Sequence, residues 1–428
     1  MAEVKPFNAV FYNPEKFKDY SLLTCPPYDV ISPEGQDYYH NLSPYNFLNI
    51  LLRKDTSGED KYQRSGVIFR EWFKGDVLVR GKSPAVYFYS QQYIIRGEKK
   101  TRLGFIALLR LGENGSSIFA HENTRLKAKE DRLKILKKTN ANLSPIFVVL
   151  KDEKRVIQRV FDQYITGRPP FIEATDKEKT IHKLWSIEDK EVLDLVQSGL
   201  KKEDAFIADG HHRYEVSCAY RDEIRQKLGG KLLEDSSYNY TLSYFTSADQ
   251  RGLSILPIHR LLKLDKEIDL VSFLKSLKEY FDVEEIKGKD RFFFLMEKSA
   301  GSEHVLGMYK NKRYWLLRLK NVRILDKAMN DKPKEYRSLD VSILNQLVFK
   351  NILKYNLEDK DSLTYSPNPD ELIEGVNNDS SAIAFFLNPV KMSQIIAVAL
   401  GGNKMPPKST YFYPKVLSGL VINKHDNI

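Results

Sequence analysis

The chain is predicted to fold as a mixed α/β or α+β protein, and three observations carry that expectation. Short apolar or alternating runs interleave with stretches of helical period, and hairpins lie among them, which argues against a purely parallel sheet. The 428 residues exceed what one core usually accommodates, so at least two domains or lobes are expected. One stretch, Ala205-Phe-Ile-Ala-Asp-Gly-His-His-Arg-Tyr-Glu215, reads as buried strand, tight turn and helix start.

Taken in order, Phe7 to Phe11 has the character of a first strand. Two prolines stiffen Thr24 to Ile31 into an extended loop, where Asp29 stands beside Tyr28. Ser32-Pro33-Glu34 is a helix-start signature, serine as cap and proline in the first turn. Ile68/Trp72 and Phe69/Phe73 recur four apart and predict a helix over 59–73. Residues 85–111 read as a hairpin turned at Arg96-Gly-Glu-Lys99. Ile118 to Ala120 is a short strand leading into His121-Glu-Asn-Thr-Arg125, and a charged helix follows over 127–138. Asn140 to Pro145 breaks it, and Ile146 to Leu150 is continuously apolar, as in a buried strand. A helix over 156–164, a strand over 180–187 and an amphipathic helix over 188–200 precede the Ala205 stretch. Beyond it Val216, Tyr220, Ile224 and Leu228 fall four apart until Gly229-Gly230 ends the pattern. Tyr238 to Phe245 and Ser254 to Ile258 are further strands.

The rest reads as a second unit. Leu270 to Phe281 has helical spacing, and His304 to Leu319 folds back on itself across Lys310-Asn-Lys-Arg313. Helices are expected over 341–353, 371–376 and 390–400, with a buried strand over 382–387 between the last two. An apolar strand running to Ile422 closes the chain. The expected division is an N-terminal domain over 1–255, carrying the His121 and Asp209–Arg213 motifs, and a C-terminal αβ lobe over 256–428.

Hydrophobic content of 42% with 29% charged residues describes a water-soluble globular protein. No apolar run approaches the roughly 18 residues of a membrane span, and the N-terminus lacks a signal-peptide core, so a cytoplasmic protein with no membrane partner is expected. Two cysteines are too few for a cysteine-rich metal site. The formal charge of +10 raises nucleic acid as a partner, but the lysines are scattered rather than gathered in one block.

Asp209-Gly-His-His-Arg213 is the leading constellation for chemistry. Phosphoryl transfer needs a close backbone approach, which Gly210 permits, and positive charge, from Arg213 and the helix start. It also needs a carboxylate or imidazole near the attacking hydroxyl, from Asp209, His211 or His212. The alternative is plain helix capping. Adjacent histidines point in different directions, which disfavours both ligating one metal. In the second constellation, Glu122 is a candidate general base or magnesium ligand beside His121, and Arg125 is a candidate phosphate contact. Its bland reading is a solvated helix N-terminus. Met405-Pro-Pro-Lys-Ser-Thr410 lacks the glycines and the following helix of a phosphate-binding loop, so Lys408 and Ser409 are weaker candidates. Tyr28, Asp29 and His121 are candidates for loops over the substrate.

Four segments carry a resemblance: Pro26-Pro-Tyr-Asp-Val30, His121-Glu-Asn-Thr124, Asp209-Gly-His-His-Arg-Tyr-Glu215 and Met405-Pro-Pro-Lys-Ser-Thr-Tyr-Phe-Tyr-Pro-Lys415. Together they resemble the domain-of-unknown-function family 1015, over essentially the whole chain. That family has no settled activity. It is distantly similar to the ParB/sulfiredoxin group, where a Gly-x-x-Arg-type turn at a helix N-terminus binds nucleotide phosphates and which includes free-serine kinases. It is also associated with serine biosynthesis. The resemblance implies a ParB/sulfiredoxin-like site region and a phosphotransferase acting on serine or a similar hydroxyl compound. ADP or ATP is the nucleotide it implies, with magnesium as an optional companion. Asp209, Gly210, His211, His212 and Arg213 are the positions it matches directly. A ParB-like nucleotide-dependent nucleic-acid-binding or regulatory protein is the alternative, and a phosphoserine phosphatase is a third reading.

Overall fold

The computed structural model describes residues 2–55, 58–113, 116–122, 126–231, 233–357 and 362–426. The architecture is mixed α/β. Residues 1–120, 124–254 and 414–428 make one compact unit, and 121–123 with 255–413 make a second. The expected C-terminal lobe therefore does not include residues 414–428, which return to the first unit.

A nine-stranded mixed sheet organises the first unit. Its order is Ile118–Ala120, Ala205–Asp209, Ile146–Leu150, Tyr240–Ser247, Glu98–Arg110, Val86–Ile95, Ile181–Ile187 and Ile172–Thr175, with Val4–Lys5 also pairing Glu98–Arg110. Two pairings are parallel, Ile118–Ala120 with Ala205–Asp209 and Ile146–Leu150 with Tyr240–Ser247. The others are antiparallel, as the interleaved hairpins imply. Ile146–Leu150 is buried along its length, which is why it is apolar without alternation. Ile146, Val148 and Leu150 share a core with Phe88, Phe105 and Phe245. Helices Val156–Val160 and Lys190–Leu200 bury Val156, Val160, Val192 and Val196 in the same core. A smaller apolar cluster joins Leu136 of helix Leu126–Thr139 to Val216, Tyr220 and Ile224 of helix His211–Lys227, the residues spaced four apart.

Residues 414–426 form a strap across this unit rather than the apolar strand expected to Ile422. Ser418 exchanges two backbone hydrogen bonds with Cys25, at 2.9 and 3.3 Å, and Ile422 exchanges two with Val10. Only Asn423–Lys424 is a strand, paired with Ala141–Asn142. The chain bends at Gly419, whose φ of +91° few side chains tolerate and whose missing Cβ would lie 2.8 Å from Phe47 Cβ.

The second unit holds a six-stranded antiparallel sheet ordered Phe281–Ile286, Arg313–Leu319, Val305–Lys310, Ala382–Phe386, His259–Lys263 and Leu363–Ser366. Helices Lys289–Ser299 and Pro369–Asn378 pack Phe292, Met296, Leu372 and Val376 against Phe386 and Leu316. Phe281 was expected at the end of a helix. That helix stops at Leu277, and Phe281 opens an edge strand instead, because its ring is buried in the sheet rather than on a helix face. Among the described residues, no helix is long and apolar enough to cross a membrane.

Candidate functional site

The first candidate group sits where strand Ala205–Asp209 meets helix His211–Lys227. The strand's register against Ile146–Leu150 shifts between Ile207 and Asp209. Such a bulge re-aims the side chain that follows it. Gly210 then takes φ +87°, in the left-handed region, and forms the N-cap with no side-chain capping bond. Its missing Cβ would lie 3.0 Å from the Arg213 guanidinium, so glycine serves both the turn and the approach of Arg213. The first-turn amides and the positive end of a 17-residue helix are directed past an uncapped residue.

Charge converges on Asp209. Lys415 Nζ lies 2.6 Å from its Oδ2, and Arg213 Nη2 lies 3.7 Å from its Oδ1. Burial opposes ionisation of this carboxyl. The Lys415 ammonium, then the Arg213 guanidinium and His211, outweigh burial and hold it well below the usual carboxylate range. Arg213 Nη1 donates to the Pro145 carbonyl, while its Nε is buried with no hydrogen-bond partner. His211 is buried at the helix start and His212 is half-buried beside it. Glu215, one turn on, pairs with Lys129 at 3.1 Å, as a favourable surface charge would.

Tyr28 belongs to this group as well. A single 3₁₀ turn, Tyr28–Val30, places its ring 4.0 Å from the Arg132 guanidinium, and Asp29 is exposed on the same turn. Burial pushes the Tyr28 phenol up to about 12, with Asp29 adding to the rise and Arg132 and Arg213 opposing it. Tyr28, Arg132, Arg213, Asn142, Ser144 and Ser217 line a cavity of about 40 Å³ beneath the helix start.

The second candidate group lies in the second unit. Met405 N donates to the His121 carbonyl at 2.7 Å, and His121 Nε2 stands 3.5 Å from Thr410 Oγ1. Glu122 Oε1 accepts from Lys408 N at 3.3 Å. Lys408 adopts φ +58°, and Arg260 Nη2 donates to its carbonyl at 3.0 Å. The buried Ser409 hydroxyl donates to Pro406 O at 2.5 Å. Arg125 lies outside the described residues.

The structure thus brings Asp209, Gly210, His211, His212, Arg213 and Tyr28 together in one unit, and His121, Glu122, Lys408 and Ser409 together in the other. Lys415 is the residue the sequence reading passed over. Its only local signal was its place at the end of the Met405–Lys415 segment. Among the described residues, no three His, Cys, Asp or Glu side chains gather as metal ligands, and Asp209 faces two cations. These side chains suit a phosphate, which takes amides at a helix start and a guanidinium fork.

Comparison with known proteins gives the chain a family. No curated protein matches the chain. Three solved structures match the chain at low similarity. A mutant free serine kinase in complex with ADP is 12% identical, with a TM-score of 0.35, over 72% of this chain and 87% of that one. A conserved hypothetical protein from Pyrococcus furiosus is 13% identical, with a TM-score of 0.33, over 73% and 92%. SbnI with a C-terminal truncation, from Staphylococcus aureus, is 12% identical, with a TM-score of 0.36, over 73% and 85%. The family described as Protein of unknown function (DUF1015) matches residues 4–342, and the chain belongs to it.

Proposed function

We propose that this chain is a cytoplasmic small-molecule phosphotransferase that moves phosphate between a nucleotide and serine or a similar hydroxyl compound. The observation that carries this reading is the uncapped helix start at Gly210, with Arg213 and Lys415 converging on Asp209 beside it. Gly210, His212 and Arg213 hold phosphate in this proposal. Asp209, kept ionised by its two cations, fixes their geometry and orients the hydroxyl. Its low proton affinity makes it a poor acceptor for the hydroxyl proton, so the base is sought elsewhere. Glu122, in the second group, is a separate candidate for acid–base chemistry, and Glu122→Gln tests it. Transfer to water instead of an alcohol would make the same site a phosphatase.

The test is a thermal-shift and turnover screen with ADP, ATP, serine and phosphoserine, each with and without magnesium. Ligands that bind the native state raise the melting temperature by mass action. A rise with ADP or ATP, and interconversion of serine and phosphoserine, are expected. No shift with either nucleotide, together with no turnover in either direction, sinks the proposal. Affinity for nucleic acid that falls steeply with salt would favour a binding protein instead.

A further inference from the structure

Arg102 and Gln91 lie in the middle of the first unit's sheet, on strands Glu98–Arg110 and Val86–Ile95, and both are completely buried. They face each other directly across the strand pair. A guanidinium buried to this degree is costly unless its donors are satisfied. Arg102 Nε donates to Gln91 Oε1 at 3.1 Å, and Nη2 donates both to Gln91 Oε1 and to the Pro414 carbonyl, the latter at 2.6 Å. Its flat face lies 4.7 Å from the Phe147 ring centroid and 5.5 Å from that of Tyr244. Gln91 turns its amide the other way and donates Nε2 to the Lys415 carbonyl at 2.9 Å.

Two successive carbonyls of the strap are therefore held by two side chains that also hold each other. The second belongs to Lys415, whose ammonium reaches Asp209. Three residues later the strap is tied again, by the Ser418–Cys25 backbone pair and by a 2.6 Å hydroxyl contact between Ser418 and Ser144. Packing alone would not call for a buried cation here. An apolar pair of the same volume would fill the sheet at no desolvation cost. What the polar pair adds is directional: it fixes where the Pro414–Lys415 backbone runs.

We propose that Arg102 and Gln91 are positioning residues for Lys415, setting its ammonium against Asp209 at the start of helix His211–Lys227. This rests on the reading of that helix start as the phosphate site. The clamp works through Lys415 and touches no ligand.

The test uses the full chain without ligand. Lysines are acetylated with N-hydroxysuccinimidyl acetate, and each site's rate is read by mass spectrometry in wild type, Gln91→Ala and Arg102→Met. ADP affinity is measured alongside by calorimetry. Lys129, ion-paired to Glu215 in the same unit, is the internal reference. Lys415 labelling is expected to rise about tenfold over Lys129, the equivalent of one hydrogen bond to a charged group, and ADP affinity to fall. General loosening would raise both lysines together and overturn the proposal, as would an unchanged Lys415 rate. A faster Lys415 with unaltered ADP affinity overturns the link to the site. If wild type binds no ADP, the phosphate reading fails, while the clamp still stands or falls on the labelling. Should Arg102→Met fail to fold, Gln91→Ala decides, because it leaves the guanidinium on the Pro414 carbonyl.

Discussion

Lys415 Nζ stands 2.6 Å from Asp209 Oδ2, although 206 positions separate the two residues along the chain. Neither side chain is more than 16% exposed. Removing one half of a buried pair costs about 3 kcal/mol or more, because the other charge is left uncompensated. Arg213 stays 3.7 Å away and softens that loss. Lys415→Met is therefore expected to lower unfolding stability by on the order of 2 kcal/mol in urea titrations. The double variant Asp209→Asn/Lys415→Met should lose less than the two single variants summed.

Arg213→Ala separates binding from folding. The Arg213 guanidinium donates to the Pro145 carbonyl and lies 3.7 Å from Asp209, while the helix keeps its buried Val216, Tyr220 and Ile224. The circular dichroism spectrum should be unchanged. The rise in melting temperature with ADP should vanish, and calorimetry should show at least about a tenfold weaker affinity.

Gly210→Ala tests the turn itself. An L-residue at φ +87° carries about 1–2 kcal/mol of strain, and the new methyl would also press on the Arg213 guanidinium at 3.0 Å. Both effects act at one point. Stability is expected to drop by about that amount, and ADP affinity with it. A variant of full stability and full affinity would show that the turn does not depend on glycine.

His425 sets a pH dependence in the strap. Burial pushes its imidazole down to about 4, against smaller opposing contributions from the Ser237 and Asp426 side, and the ring stacks on Tyr238 at 4.8 Å. The unfolded chain takes up the proton first. The contribution is therefore complete above about pH 6.5 and is lost as pH falls towards about 4. That loss is on the order of 3 kcal/mol. His425→Phe keeps the stack and should flatten the stability profile between those two pH values.

Local features of the site were legible in the sequence, and its long-range partners were not. The run from Ala205 to Arg213 is contiguous, so an apolar strand, a glycine and a helical period suffice to place Asp209 and Arg213 at one turn. Nothing in the spacing of residues 209 and 415 says that they pair, because that contact is made by a strap whose path depends on Cys25, Ser144 and Val10. Sheet edges were the other blind spot. Phe281–Ile286 alternates too loosely, with Asp282, Glu284 and Glu285 facing outward, to stand out as a strand, and Leu363–Ser366 is only four residues long.

The order of synthesis follows from the strap. The first unit's sheet strands all emerge before residue 254, yet the residues that tie it off, 414–426, emerge only after the whole of 255–413. A nascent chain thus holds the Asp209 carboxylate without its ammonium for the entire time the second unit is being made. Contacts of such high sequence separation form late and slowly. The Arg102 and Gln91 donors wait equally long for the Pro414 and Lys415 carbonyls that they hold in the folded chain.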